Sequence, residues 1–229
     1  MNWQQLDWQP VWLTLQLAAI TTVILLLLGV PLAYRIAHSR SRFKPVWESL
    51  VSMPLVLPPS VLGFYLLLIF SPRYAFGQWL EQTLHLKLVF SFSGLVIGSV
   101  LFSLPFMVQP VQAAFQNLPR SLLEASRTLG KSDTESFFRV ILPSVRPALL
   151  SGTVLAFAHT IGEFGVVLMI GGNIPGQTRL ASMAIYNEVE SLNYDAAHAY
   201  AAVLFAISFV ILLTVYGLQR RSPGAGVVR

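Results

Sequence analysis

The sequence predicts an all-α, polytopic membrane protein with five transmembrane helices. Three observations carry that expectation. First, the chain has 229 residues, of which 55% are hydrophobic and only 11% charged, whereas soluble domains carry about 25% charged residues. Its mean hydropathy is +0.65. Second, charge is absent over long stretches: between Asp7 and Arg35, Glu48 and Arg73, Lys87 and Arg120, and Asp195 and Arg220. Between Arg146 and Arg179 it is limited to Glu163. A membrane helix needs roughly 20 predominantly apolar residues, so each gap holds one span. Third, twelve Lys and Arg fall in one alternate set of loops and three (Arg73, Lys87, Arg179) in the other. The basic set belongs in the cytoplasm, which puts the N-terminus outside and the C-terminus inside. The net charge of +5 is then orientation charge rather than a nucleic-acid footprint. The absence of cysteine excludes disulfides and thiolate metal sites. The start, MNWQQLDWQP, has no basic residue and does not read as a cleavable signal.

The spans are expected near 11–34, 49–70, 92–114, 147–170 and 196–218, within one transmembrane domain over 11–218. Span 1 is Leu-rich and closes on Gly29-Val30-Pro31, where a kink is expected. Span 2 carries MPLVLPPSVLG. Pro54, Pro58 and Pro59 cannot all sit in one regular helix. Either this segment faces the protein interior or a path, where irregular backbone is tolerated, or the prolines cap the helix near the interface. Span 3 contains Gly94 and Gly98 at GxxxG spacing, which permits close helix packing.

Span 4 reads HTIGEFGVV. Glu163 is the one carboxylate deep in a span, a costly position that marks a candidate functional site. His159 lies four residues earlier on the same helical face, within reach of a hydrogen bond to it. Two ligands are too few for a metal, so no metal and no cofactor is expected. Two readings stand for Glu163: an interior carboxyl packed by Gly162 and Gly165, or a gate or pathway group. The outer loop GGNIPGQTR reads as a structured turn. Glu188, Glu190 and Asp195 make the rest of that loop acidic.

Segment 117–143 is a cytoplasmic loop with its own structure. Its Gly130-Lys131-Ser132 imitates a phosphate-binding loop, but Ala125 replaces the first glycine, and no buried strand precedes it. Two short helices fit better. Pro119 suits a first helical position. Leu118, Leu122, Ala125 and Leu129 then form an apolar stripe, with Arg120, Glu124 and Arg127 opposite. Gly130 ends the first helix, Ser132 to Glu135 is a capping box for the second, and Pro143 stops it. The stripe needs a cover, from the protein's own spans or from a partner.

Glu124-Ala125-Ser126, then Gly130, then Val140 and Leu142-Pro143 resemble the EAA signature of bacterial ABC-importer permeases. Ser126 replaces the second Ala and Val140 an Ile. LVLPPSVLG and NIPGQTR are similar to molybdate permeases, and GEFG followed by GNIP is shared with sulfate permeases. The resemblance covers nearly the whole chain. It implies a type I ABC importer permease fold in the bacterial inner membrane. It also implies a coupling helix, Leu122, Glu124, Ala125, Ser126, Arg127, Leu129 and Gly130, that docks on a partner ATPase. The implied assembly holds two permease copies, two ATP-binding subunits and a periplasmic molybdate-binding protein, and the chain itself hydrolyses nothing. Sulfate, thiosulfate or tungstate are alternative substrates. A proton-coupled secondary transporter using His159 and Glu163 as a relay is the alternative from another class. His159, Gly162, Glu163, Gly165, Pro58 and Pro59 are the pathway, gate or structural candidates. No Arg or Lys lies in any span, so Ser103, Thr153, Thr160 and backbone groups would line a path that binds its anion weakly.

Overall fold

A computed structural model describes residues 6–220; Arg221, Arg229 and the start of the proposed non-signal segment lie outside them. Every regular element among the described residues is helical. Helix α1 (Gln9–His38) runs through Pro31 instead of ending there, so the first span is longer than expected. Helix α2 (Lys44–Val56) and helix α3 (Pro59–Phe70) replace the second span, and their axes differ by 112°. Pro58 is the N-cap and Pro59 the first residue of α3, where a missing N–H costs nothing. Both prolines are exposed on the chain. A short helix α4 (Ala75–Leu84) follows.

Helix α5 (Phe92–Gln116) starts at Ser91, whose Oγ accepts from Gly94 N at 3.1 Å. Beyond the segment formed by α6 (Arg120–Thr128), α7 (Asp133–Ser136), a π-helical turn (Phe137–Ile141) and α8 (Leu142–Ser144) comes α9 (Arg146–Ile161). The expected fourth span then breaks at Gly162, Glu163 and Phe164 and resumes as α10 (Gly165–Gly171). Helices α11 (Ala181–Glu190) and α12 (Tyr194–Arg220) complete the described chain. Among the described residues, three helices are long and apolar enough to cross a membrane unaided: Gln9–His38, Phe92–Gln116 and Tyr194–Thr214. Counting each bent pair as one span gives up to five.

The core is a bundle of α1, α5 and α9, flanked by α10 on α3 and α5. Leu25, Val30, Met107, Val111, Phe115 and Ile141 fill one half. Leu17, Leu66, Leu95, Val166 and Ile170 fill the other. A Cβ on Gly29 would lie 3.0 Å from Met107, which sets the close approach of α1 and α5. Of the GxxxG pair, Gly98 faces another helix: a Cβ there would lie 3.1 Å from Val166 Cγ1 of α10. Gly94 instead packs under the carbonyl of Leu88.

Candidate functional site: a polar helix break and a helical turn

Two regions hold the residues singled out from the sequence. The first is the break after α9. The α9 helix ends because Gly162 and Gly165 flank the break and glycine is a poor helix former. The Gly162 N–H is shared between the Ala158 and His159 carbonyls. Glu163 then turns inward and is only 3% exposed. The expected His159–Glu163 hydrogen bond does not form, because the i,i+4 relation needs a continuous helix and the helix stops between them. Neither carboxyl oxygen of Glu163 has a hydrogen-bond partner, although Ser99 is the polar side chain beside it. Its backbone carbonyl accepts from Ser182 Oγ at 2.7 Å.

His159 is tied elsewhere. Its Nδ1 lies 3.1 Å from Ser103 Oγ, and Ser103 Oγ lies 3.0 Å from Thr160 Oγ1. The ring stacks on Phe106 at 4.0 Å and tilts against Phe102 at 4.9 Å. Thr21, Thr22 and Ser99 are buried with unpartnered hydroxyls, and sequence reasoning missed all three. The Ser99–Ser103 spacing of four on an apolar helix was the signal that could have found one of them. Gly165 sits against α3, where a Cβ would lie 2.7 Å from Pro59 Cβ. The fold therefore joins Pro59 and Gly165, which lie in separate sequence motifs.

The second region is the turn between α6 and α7. Helix α6 ends on Gly130 at φ +73°, a conformation that favours glycine. Gly130 N donates to Arg127 O and Lys131 N to Ser126 O, the paired bonds of a Schellman motif. Ser132 caps α7 by accepting from Glu135 N at 3.2 Å. Glu135 does not complete the capping box. It pairs with Lys131 at 2.6 Å and Arg139 at 3.0 Å, and the Lys131 hydrogen bond first of all holds its carboxyl below the ordinary glutamate range. Arg127 pairs with Asp133 at 3.0 Å rather than with Glu124, which is exposed. Ser126 and Ser136, both buried, share a 2.6 Å hydrogen bond that binds the two helices.

The apolar stripe is covered at one end only: Leu118 is half-buried against the core, whereas Leu122 is 37% and Leu129 78% exposed, and Ala125 is exposed. The second helix continues past Pro143 through the π-helical turn to Ser144, then meets α9 at a 71° bend.

Residues 26–222 match the family described as the binding-protein-dependent transport system inner membrane component. The molybdenum transport system permease protein of Azotobacter vinelandii is 47% identical over 219 residues, covering 95% of this chain and 96% of that protein. The sulfate transport system permease protein of Salmonella typhimurium is 31% identical, covering 96% and 84%. Among solved structures, an inward-facing methionine ABC transporter superposes with a TM-score of 0.73 at 16% identity, covering 96% and 99%. An alginate-importing ABC transporter superposes with 0.77 at 16%, covering 94% and 79%.

Proposed function

We propose, from the premise that the chain belongs to the binding-protein-dependent inner-membrane transport family, that it is the permease subunit of an ABC importer for molybdate. As a member of that family it is a multi-pass inner-membrane transport permease and not itself an enzyme. The substrate reading rests on the 47% identity to a molybdenum permease over nearly the full length. The coupling reading rests on one observation above all: Leu122, Ala125 and Leu129 remain exposed on α6 while Ser126 ties that helix to the segment entering α9. An apolar face that the chain's own spans leave open is suited to a separate subunit.

In this reading two copies of the chain and two ATP-binding subunits form the transporter, with a periplasmic molybdate-binding protein delivering the anion. The N-terminus is periplasmic and the C-terminus cytoplasmic. Closure of the ATPases pushes Leu122 to Gly130 and rocks the bundle between outward- and inward-facing states. Sulfate is the second reading, favoured by a sulfate permease matching 96% of the chain.

The test reconstitutes the chain with its ATPase and compares stimulation by binding protein loaded with molybdate, tungstate or sulfate. Molybdate should stimulate; stimulation by sulfate alone overturns the substrate reading. Leu129→Glu should leave the permease folded, because the side chain touches solvent, and should abolish ATP-driven uptake. Unchanged uptake would remove α6 as the docking element.

A further inference from the structure

The hydrogen bonds around His159 have a fixed direction. Thr160 Oγ1 donates to Ala156 O at 2.9 Å, and a hydroxyl has one proton to give. The Ser103–Thr160 bond is therefore donated by Ser103, whose proton is then used. It follows that the Ser103–His159 contact is donated by Nδ1–H. The imidazole carries its proton on Nδ1 whether it is neutral or charged, and only Nε2 can change. Neutral, Nε2 is an acceptor; protonated, it is a donor.

Nε2 is the other edge of the ring: His159 is half-buried, and among the described residues its ring is hydrogen-bonded through Nδ1. Gly162, three residues on and on the same face, is exposed and non-helical. A polar ring edge and irregular backbone at membrane depth do not face lipid; they face protein or a water-filled cavity. The charge-free stretches contain no Lys or Arg, and of their two histidines His198 lies at the outer start of α12. His159 is thus the one side chain near mid-span that can present a positive charge. Packed against it, α5 brings Ser103, Phe102 and Phe106 and no charge. At this depth α1 brings no charged side chain, and α12 carries Tyr194, Asp195, His198 and Tyr200 near its start and Tyr216 and Arg220 near its end in the sequence. Glu163, just past the break, is turned toward Ser99.

We propose that the α9 face bearing His159 and Gly162 lines the transport path, and that His159 hydrogen-bonds the tetrahedral oxyanion through Nε2–H. This rests on the oxyanion-importer reading and adds a specificity residue to it. An oxyanion offers acceptors only, so a neutral Nε2 repels it. One proton from water joins Nε2 as the anion arrives and returns to water when it leaves. Ser103 is a positioning residue that holds the ring edge outward.

The test uses the permease with its ATPase and binding protein in nanodiscs and liposomes. With 15N-histidine labelling, sodium molybdate should shift the His159 Nε2 resonance, identified by its loss in His159→Gln, to the protonated range while Nδ1 stays protonated. His159→Phe should lower the kcat of molybdate uptake about ten- to a hundredfold, the worth of one charge-assisted hydrogen bond, with partial recovery in His159→Gln. The chain has no cysteine, so Gly162→Cys reports directly: a Cβ there meets nothing closer than 3.8 Å. A negatively charged thiol reagent should modify it, and molybdate should slow the modification. An Nε2 resonance indifferent to molybdate, wild-type uptake in His159→Phe, or an unreactive Gly162→Cys overturns the proposal. If the wild type carries sulfate instead, the substrate reading fails and the same three measurements with sulfate judge His159; if it carries no oxyanion, both fall.

Discussion

Gly165→Ala tests whether the break after α9 is held in place by the prolines of the second broken span. In the structure a Cβ on Gly165 would lie 2.7 Å from Pro59 Cβ, 3.3 Å from Ser60 N and 3.4 Å from the Pro59 carbonyl carbon. Ordinary carbon contacts are about 3.5–4.0 Å, so α3 and α10 must separate by most of an ångström. Pro59 is a ring fused to the backbone and cannot rotate away. Overpacking of this kind costs about 1–3 kcal/mol, and rigid backbone neighbours put Gly165→Ala in the upper part of that range. Gly162→Ala is the matched control, since its Cβ would sit 3.8 Å from the His159 carbonyl and its φ of −86° suits any residue. The assay is the unfolding equilibrium of the purified permease in mixed micelles titrated with a denaturing detergent. Gly165→Ala should lower the folded-to-unfolded ratio about 30-fold or more, the equivalent of 2 kcal/mol, with Gly162→Ala close to wild type. Equal stability of the two variants would refute the idea that α3 and α10 are locked through Pro59 and Gly165.

Two further outcomes concern the turn between α6 and α7. Ser126→Ala and Ser136→Ala each leave one buried hydroxyl unpaired and should each destabilise by about 1–3 kcal/mol. The double variant should cost less than their sum, and strict additivity in the same detergent titration would show that the 2.6 Å bond couples nothing. Glu135 titrates below the ordinary glutamate range when folded, chiefly through its hydrogen bond from Lys131. Its pairing therefore stabilises the turn above the unfolded glutamate value, near about pH 4.3, and is lost as pH falls through the lower folded value. Hydrogen exchange of the α7 amides should show that loss in wild type but not in Glu135→Gln, with added salt shrinking the difference; identical pH profiles would contradict it.

The turn between α6 and α7 was legible because its signals are local. Gly130 ends a helix by adopting φ +73°, Ser132 caps the next one, and neither depends on distant residues. The stripe of Leu122, Ala125 and Leu129 was legible as a stripe, but its exposure depends on what the rest of the bundle covers. Charge gaps located every apolar stretch, yet hydropathy is blind to direction. Pro58 and Pro59 announced a break in the second span without announcing a 112° turn. The His159–Glu163 pairing failed because spacing of four assumes an unbroken helix, and the glycines on either side of the break were weighed as packing rather than as a stop. Thr21 and Thr22 carried no signal, since a hydroxyl in an apolar helix ordinarily bonds its own i−4 carbonyl, as Thr14, Thr153 and Thr160 do here.

The two broken spans are halves of one joint. Gly63 of α3 admits the α10 backbone, where a Cβ would meet Val166 Cα at 2.9 Å and Met169 Cβ at 2.8 Å. Gly165 of α10 admits Pro59 in return. Between them, LVLPPSVLG and GEFG, about a hundred residues apart in the chain, specify a single close contact and fix α10 against α3. Helix α9 meets the Ser103 hydroxyl of α5 at His159 and Thr160 in its last turn and stops at Gly162, while its first turn follows the π-helical turn and the Ser126–Ser136 pair that bonds to α6. Packed and hydrogen-bonded groups thus run from α6 to α9, while α10 packs on α3. The three residues Gly162, Glu163 and Phe164 are where the two meet, and any displacement of α9 relative to α10 has to be absorbed in their backbone, beside His159 on the open face and Glu163 on the buried one.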